Sequence, residues 1–334
     1  MNSAENILFK GFDAVKLTSG KYTAVVAYTL GSNVLRFRDE TNDIEVFRYN
    51  DDITAAEIIN SPEVWGLPAL YLPNRFDGGV LKTSDAVYQL PVNELRFGNH
   101  IHGFLHKRAH RIKDMGADDS SAWLVTEYEY DKNDFFYNCF PVSFRAQITV
   151  KLDSEGLHHT ITLENRSEHM LPVSLATHTT YSAPFTKDGK QEDIRITVPA
   201  VKKIPFDKKR WLPRGRSIAL RISDRNYVSG TKCPVLTDIC NDMYVGGECI
   251  LDGKPFRGTV ILDTASGKRI CCETDENYKF WIVWNDRGFK NYFCIEPMTA
   301  QVNAPNLQLT RESSGYTELE PGKSCSASQR FFTC

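Results

Sequence analysis

The sequence predicts an all-β protein, a large antiparallel β-sandwich with one or two short helices. Apolar and polar residues alternate with a period of two along most of the chain, as in half-buried strands. Gly, Asn, Asp and Pro interrupt these segments at short intervals, which is typical of stacked antiparallel sheets. No alternation of strands with helices, no glycine-rich phosphate loop and no internal repeat is present.

The predicted strands are the segments in which this alternation is clearest. Each is rich in β-branched or aromatic residues and is followed by turn-forming residues. They are residues 24–28, 33–37, 44–49, 122–128, 145–152, 157–164, 194–198, 218–222, 259–262 and 278–284.

One helix is predicted at residues 55–60. Thr54 stands at the N-cap position and Glu57 three residues later, which is the spacing of a capping box. Pro62 follows and ends the segment.

Composition excludes several classes of protein. The chain has 334 residues, of which 41% are hydrophobic and 25% charged, as expected for a globular protein with a large core. Its net charge is −2 and it has no long basic stripe, so we expect no nucleic-acid partner. No apolar run reaches the roughly 18 residues of a membrane helix, so no membrane partner is expected. Because no low-complexity linker divides the chain, we expect residues 1–334 to form a single domain.

The cysteines and the N-terminus indicate a cytoplasmic location. Nine cysteines are present, an odd number, and no Cys-x-x-Cys pair occurs. This pattern favours reduced thiols over a disulfide framework. No cationic start followed by an apolar stretch, as in a secretory signal, is visible at the N-terminus.

Two residues have the chemistry of a proton-transfer pair. Glu296 ends the apolar run at 292–295, which would hold its carboxylate at the rim of a sheet. Partial burial there would raise its pKa and make it a better base. His178 follows another strand-like approach, and an imidazole exchanges protons near neutral pH. Taken alone, Glu296 is equally well explained as a solvated glutamate, and His178 as a histidine of the core.

Further polar candidates lie at turns. Arg75 precedes a turn signal and offers a planar donor fork for hydroxyl groups, unless it is a surface arginine paired with Asp77. His102 stands before Gly103 and is interpreted as a hydrogen-bonding anchor. The histidines at 100, 102, 106 and 110 also suggest a metal site. However, residues 102, 106 and 110 share a face only in a helix, residues 100 and 102 only in a strand, and no acidic ligand lies between them. We therefore expect no metal.

These segments, in this order, resemble the aldose 1-epimerase (galactose mutarotase-like) family. The resemblance rests on Pro-Asn-Arg at 73–75, His-Gly-Phe at 102–104, the His178 segment and Glu-Pro at 296–297, and it extends over most of the chain. It implies a β-supersandwich with a sugar cleft and no cofactor. Glu296 would be the general base and His178 the general acid. The residues implied or expected to bind the sugar are Arg75, His102, Asp242, Asn74 and Tyr181.

The chain departs from the family pattern at two positions. Tyr181 lies three residues after His178 rather than two, and could pack on a sugar or belong to the core. His106 occupies the position at which the phospho-sugar branch has an arginine, although Lys107, Arg108 and Arg111 lie nearby. The expected substrate is therefore a hexose, with a hexose 6-phosphate as the alternative.

Two other functions are compatible with these residues. One is a non-catalytic carbohydrate-binding protein on the same fold, although binding alone needs no acid and base. The other is a glycosidase, which would need a second carboxylate about 5–10 Å from Glu296. The expected partner is a monosaccharide, and the expected assembly is a monomer or homodimer.

Overall fold

Strands account for most of the regular structure in the computed structural model, which describes residues 1–334. The first strands are β1 (Ser3–Phe9), β2 (Phe12–Ser19), β3 (Tyr22–Ala27), β4 (Asn33–Asp39), β5 (Ile44–Glu45), β6 (Ala69–Leu70), β7 (Arg75–Asp77), β8 (Val80–Lys82), β9 (Val87–Gln89) and β10 (Asn99–Ile101). The middle of the chain adds β11 (Arg111–Ala117), β12 (Ser121–Tyr130), β13 (Phe144–Asp153), β14 (Gly156–Asn165), β15 (Leu171–Val173), β16 (Ala176–Thr177), β17 (Thr180–Ser182), β18 (Ile194–Thr197), β19 (Ala200–Ile204), β20 (Phe206–Asp207) and β21 (Leu212–Pro213). The last strands are β22 (Asp242–Gly246), β23 (Cys249–Leu251), β24 (Lys254–Phe256), β25 (Gly258–Asp263), β26 (Arg269–Thr274), β27 (Phe280–Trp284), β28 (Tyr292–Met298), β29 (Thr317–Leu319) and β30 (Ser324–Thr333).

Helical structure is limited to short segments. The helices are α1 (Ala55–Asn60), α2 (Arg225–Val228) and α3 (Arg311–Ser314), and the 3₁₀ turns are Pro62–Val64, Leu105–Lys107, Phe135–Asn138, Gln191–Asp193 and Ala304–Asn306. Helix α1 is the one predicted from the sequence, and its capping box is confirmed. The backbone N–H of Thr54 donates to Glu57 Oε2 at 2.9 Å, and that of Glu57 donates to Thr54 Oγ1 at 3.3 Å. None of the helices has the length and apolar composition needed to cross a membrane.

Two large antiparallel sheets form the sandwich, which confirms the predicted fold class. The first contains eight strands in the order β11-β12-β13-β14-β30-β26-β25-β18. The second contains seven strands, in the order β19-β22-β27-β28-β16-β6, with β17 also paired to β28. A five-stranded sheet, β1 to β5, adds its apolar side chains to the same core.

Alternation along the strands decides which side chains enter that core. In β13, every second residue from Phe144 to Leu152 is fully buried, whereas the residues between them are partly or fully exposed. Burial of each large apolar side chain contributes roughly 1.5–3 kcal/mol. The eight-stranded sheet therefore has one core face and one solvent face.

Strand β28 differs because all seven of its residues are buried. Phe293 and Ile295 point into the main core between the sheets, whereas Met298 belongs to a smaller apolar cluster on the opposite face. By the same alternation, Glu296 and Cys294 lie on the Met298 face. Glu296 is therefore a buried polar residue on the face of the seven-stranded sheet that lies away from the main core.

One predicted strand was wrong. Residues 218–222 alternate in the expected way, but only Ile218 makes a single bridge, to Lys203. Ile222 is 85% exposed. The contact with β19 does not continue beyond this bridge, and without a ladder the local preference does not produce a strand.

Candidate active site

His178 and Glu296 face each other at the centre of the seven-stranded sheet. Ala176 of β16 pairs with Met298 and Thr180 of β17 pairs with Cys294, and the same register places His178 opposite Glu296. Their side chains are 3.4 Å apart, measured from His178 Nε2 to Glu296 Oε1. The two residues are only 5% and 2% exposed. Strand pairing therefore brings together two groups that are far apart in the sequence.

Burial shifts the protonation equilibria of the pair in opposite directions. It raises the pKa of Glu296 to about 8, while the guanidinium of Arg75 acts weakly in the other direction. It lowers the pKa of His178 to about 4. Both shifts have the same cause, because a low-dielectric surrounding disfavours the charged form of either group. Between about pH 4 and pH 8 the pair therefore holds one proton.

Arg75 lies beside the pair in a buried position, being 7% exposed. Its guanidinium forms a two-pronged ion pair with Glu94, with Nε 2.8 Å from Oε2 and Nη2 2.7 Å from Oε1. Its Nη1 donates to Asn241 Oδ1 at 3.3 Å. The alternative of a surface arginine paired with Asp77 is wrong, since Asp77 pairs with Arg210 at 2.6 Å.

Asn74 fixes the position of Arg75. Its backbone is in the left-handed region, with φ of +53°. Its Oδ1 accepts a hydrogen bond from the Arg75 backbone N–H at 3.0 Å and lies 3.4 Å from Nη1. The side-chain acceptor and the backbone turn together direct the guanidinium toward the face that carries Glu296.

His102 also reaches the pair. Its ring lies edge-on to that of His178, with centroids 5.2 Å apart. Burial, together with the neighbouring imidazole of His178, holds the pKa of His102 well below its usual range. The backbone is left-handed, with φ of +64°, and its N–H donates to Asn74 O at 2.9 Å. His102 is thus a neutral hydrogen-bonding group beside the pair.

Gly103 makes this placement of His102 possible. Its φ is +58°, and a Cβ atom there would lie 2.2 Å from both Leu72 N and Tyr71 O. Only glycine fits such a close approach of two backbones. This is a physical reason for glycine in the His-Gly pair.

Substituting Gly103 by alanine is expected to lower the free energy of unfolding by about 2–4 kcal/mol, through overpacking and backbone strain. Gly78→Ala is the matched control, because Gly78 has a similar φ of +60° but open space around its Cβ position. Gly78→Ala should lower the free energy of unfolding by only about 1 kcal/mol. Denaturant unfolding measures both variants, and equal losses would contradict the steric argument.

The structure does not bring Asp242 to the pair. Asp242 pairs with Val283 in the sheet and shares the face of Tyr244, away from Glu296. Its carboxylate accepts from Lys203 Nζ at 2.9 Å and from the Tyr227 hydroxyl at 3.1 Å. The preceding residue, Asn241, lies just outside β22 with a left-handed backbone, φ of +52°, and its Oδ1 accepts the hydrogen bond from Arg75.

Tyr181 is placed in the main core, which corrects the expectation that it contacts the sugar. It pairs with Phe293 and stacks on that ring with centroids 5.6 Å apart. It is fully buried, on the face of the sheet opposite His178. The three-residue spacing from His178 gives Tyr181 the other parity along the strand, so its ring faces the core.

The remaining histidines of residues 100–110 lie in separate surroundings. His100 contacts the carbonyl of Pro91, and His110 lies near Thr126 in the eight-stranded sheet. His106 is buried, and both its ring nitrogens lack a hydrogen-bond partner. No group of three or more His, Cys, Asp or Glu side chains is arranged to hold a metal ion.

Two residues of the site were not identified from the sequence. Glu94 lies in an irregular polar stretch, and no local pattern marks it as the partner of Arg75. Trp284 was predicted only as the end of a strand, yet its ring lies 5.8 Å from that of His178, edge-on. Its position opposite Cys294 in the pairing of β27 with β28 explains this contact.

Comparison with known sequences identifies the family. The sequence pattern of the family described as aldose 1-epimerase matches residues 13–331. The chain belongs to the aldose 1-epimerase family. This confirms the resemblance inferred from the motifs around Arg75, His102, His178 and Glu296.

Solved structures of related proteins share the fold of this aldose 1-epimerase family member. A galactose mutarotase-like protein from Clostridium acetobutylicum has a TM-score of 0.95 and 28% identity, covering 99% of this chain and 98% of that chain. A galactose 1-epimerase from Lactobacillus acidophilus has a TM-score of 0.70 and 14% identity, and the match covers 100% of this chain and 98% of that chain. An aldose epimerase homologue from C. elegans has a TM-score of 0.71 and 13% identity, covering 96% and 98%.

Proposed function

We propose that this protein is an isomerase that interconverts the α and β anomers of a hexose. The proposal rests on one observation, the buried contact of 3.4 Å between His178 Nε2 and Glu296 Oε1. A base and an acid held side by side in a site of low dielectric constant are what ring opening of a sugar requires. Family membership supports the same reaction class.

The reaction begins with a proton shift within the pair. The single proton is favoured on Glu296, and its transfer to His178 produces a carboxylate and an imidazolium. Arg75 favours this state because its positive charge stabilises the Glu296 carboxylate. The pair then contains both the base and the acid that the sugar needs.

Ring opening and closure follow from these two groups. Glu296 removes the proton from the anomeric hydroxyl while His178 protonates the ring oxygen. The bond between C1 and the ring oxygen breaks, and the C1 hydroxyl becomes the carbonyl of the open aldehyde. Rotation about C1–C2 presents the other face of the carbonyl, and the reverse transfers close the ring as the other anomer. The pair begins and ends with one proton.

We propose that the sugar is bound by Arg75, His102 and Asn241. Asn241 takes the role that was expected of Asp242. The guanidinium is a fixed donor, because Glu94 binds the edge formed by its Nε and Nη2 atoms. The neutral His102 ring and the Asn241 amide add groups that can donate or accept. No charged intermediate forms that would require a metal or nucleotide.

The substrate is proposed to be an unphosphorylated hexose. His106 is buried where an arginine would be expected in the phospho-sugar branch. Arg108 is bound to Asp134 at 2.6 Å, and Arg111 pairs with Glu127. Only Lys107 of this segment is a free exposed cation, which is little to hold a phosphate dianion.

The other proposals concern the chain as a whole. We propose that residues 1–334 form one domain, because the main core contains side chains from Val15 to Phe331. A cytoplasmic location is proposed because all nine cysteines are free thiols. A glycosidase is disfavoured because Asp242, which would have to pair with Glu296 as a second carboxylate, is bound by Lys203 on the other face of the sheet.

Exchange NMR between the anomers of glucose, galactose and their 6-phosphates tests the proposed function. Free sugars interconvert unaided, so each rate is compared with the same buffer without enzyme. Acceleration for a free hexose, larger than for its 6-phosphate, is the expected result. Rates equal to the buffer rate for every sugar would reject catalysis and leave sugar binding as the function.

The pH dependence of kcat/KM is expected to be bell-shaped, with limbs near pH 4 and pH 8. Below about pH 4 the pair takes up a second proton and loses its base. Above about pH 8 it loses its proton and therefore its acid. These values belong to the pair rather than to either residue. Rates measured from pH 3 to pH 10 and corrected for the spontaneous reaction check this, and a single limb near pH 6.5 would contradict it.

A further inference from the structure

Two cysteines, Cys271 and Cys334, lie side by side on neighbouring strands of the eight-stranded sheet. Cys271 of β26 pairs with Phe332 of β30, and Cys334 follows the last residue of β30. The backbone of Cys334 exchanges two hydrogen bonds with that of Arg269, at 2.6 and 3.1 Å. Because side chains alternate along a strand, the two cysteines lie on the same face as diagonal neighbours. Their sulfur atoms are 4.0 Å apart.

The contact between the two sulfur atoms can become a disulfide after a small movement. A disulfide holds its sulfur atoms about 2.05 Å apart, so the two atoms would have to approach by about 2 Å. Cys334 is exposed and lies outside β30, so it can move while the rest of the ladder stays paired. Cys271 is fully buried within β26 and keeps its place.

The surroundings of the two thiols differ. Cys271 belongs to a small apolar cluster that includes Cys249 and Phe256. Its hydrogen bond to Cys334 and its burial raise the pKa of Cys271 well above the usual range. The same hydrogen bond and the guanidinium of Arg269 lower the pKa of Cys334, although partial burial opposes them. Cys334 is therefore the accessible sulfur with the larger thiolate fraction, and Cys271 is a protected thiol beside it.

We propose that Cys271 and Cys334 form a peroxide-reactive thiol pair that is oxidised to a reversible disulfide. This modification site lies on the sheet that does not carry His178 and Glu296, and it does not depend on the proposed isomerase function. In a reducing compartment such a disulfide is transient and serves to sense oxidants. The free state of all nine cysteines agrees with that setting.

The reaction with hydrogen peroxide has two steps. The Cys334 thiolate attacks one peroxide oxygen, the O–O bond breaks, and the leaving hydroxide takes up a proton to become water. This step leaves a sulfenic acid on Cys334. The sulfur of Cys271 then attacks the sulfur of Cys334, the S–O bond breaks, and the hydroxide leaves with the Cys271 proton as a second water. Two thiols lose two electrons, and one peroxide is reduced to two waters.

Oxidation of the whole protein with one equivalent of hydrogen peroxide tests the pair. The wild type should lose two of its nine thiols, and its mass should fall by about 2 Da because two hydrogens are removed. Trypsin should then release residues 270–279 joined to residues 331–334. Dithiothreitol should separate the two peptides and restore both thiols.

Three variants assign the roles of the thiols. In Cys334→Ser the accessible thiol is absent, so Cys271 should stay reduced. In Cys271→Ser the sulfenic acid on Cys334 has no partner, so dimedone should trap it. Cys240→Ser is the matched control, because Cys240 is also exposed but burial and the carboxylate of Asp238 raise its pKa. This control should form the disulfide at the wild-type rate.

Absence of the joined peptides in the oxidised wild type would overturn the thiol pair. Joined peptides that persist in Cys271→Ser would also overturn it, since the link would then run through Cys272 of the same peptide. If Cys271→Ser does not fold, Cys334→Ser decides, because oxidation of Cys271 at the wild-type rate there would show that the thiols react independently. None of these readouts measures anomer exchange, so the thiol pair and the isomerase proposal fail separately.

Discussion

Replacing Glu296 by glutamine is expected to lower kcat for anomer exchange by about 10²–10⁴-fold. Glutamine preserves the shape of the side chain and its hydrogen-bonding capacity, but it cannot accept the anomeric proton. The carboxylate is buried on β28, which lies between β27 on one side and β16 and β17 on the other, so water cannot readily replace it as base. Exchange NMR at neutral pH measures the loss, with the buffer rate subtracted.

Glu45→Gln is the matched control for this substitution. Glu45 is a partly buried glutamate, and desolvation raises its pKa to about 7, although Arg36 and Arg38 oppose the shift. It lies on β5 of the five-stranded sheet, away from His178. The control should retain wild-type exchange. Full activity in Glu296→Gln, or an equal loss in both variants, would contradict the role of Glu296 as base.

Replacing His178 by asparagine is expected to reduce kcat by a similar factor of about 10²–10⁴, because the ring oxygen loses its proton donor. Asparagine is of comparable size and still donates a hydrogen bond, but it does not exchange a proton near neutral pH. The bell-shaped pH profile should collapse at the same time, because Glu296 would then titrate without its partner.

Two further variants are needed to interpret the result for His178→Asn. His110→Asn is the matched control, since burial lowers the pKa of His110 to about 3 and its ring lies near Thr126 of the other large sheet. The double variant of Glu296 and His178 should lose little more than either single variant, because the two groups act as a unit. Fully multiplicative losses would show that they work independently.

The local sequence predicted those features that depend on neighbouring residues. Alternation identified five of the eight strands of the larger sheet but few of the seven-stranded one. The Thr54–Glu57 spacing identified the capping box of α1. Hydrophobic periodicity predicts such elements because burial of one face is what stabilises a strand. It failed at residues 218–222, where a single bridge to β19 does not continue into a ladder.

The family motifs identified more of the active site than the local pattern could. Arg75, His102, His178 and Glu296 were named from their order along the chain, and the structure brings them together. Glu94 was not found, because it contributes through an ion pair with a residue 19 positions away. The structure also decides that Asn241 rather than Asp242 contacts Arg75, because the backbone turns at Asn241 just before β22.

By itself, the sequence determined the all-β class and the family, and it named the two residues proposed as acid and base. Only the tertiary structure decided that His178 and Glu296 are in contact, that Tyr181 faces the core, and that burial leaves one proton on the pair. The physical reason is that strand register, the parity of side chains and burial are set by long-range pairing. Register, parity and burial therefore cannot be predicted from residues that are adjacent in the sequence.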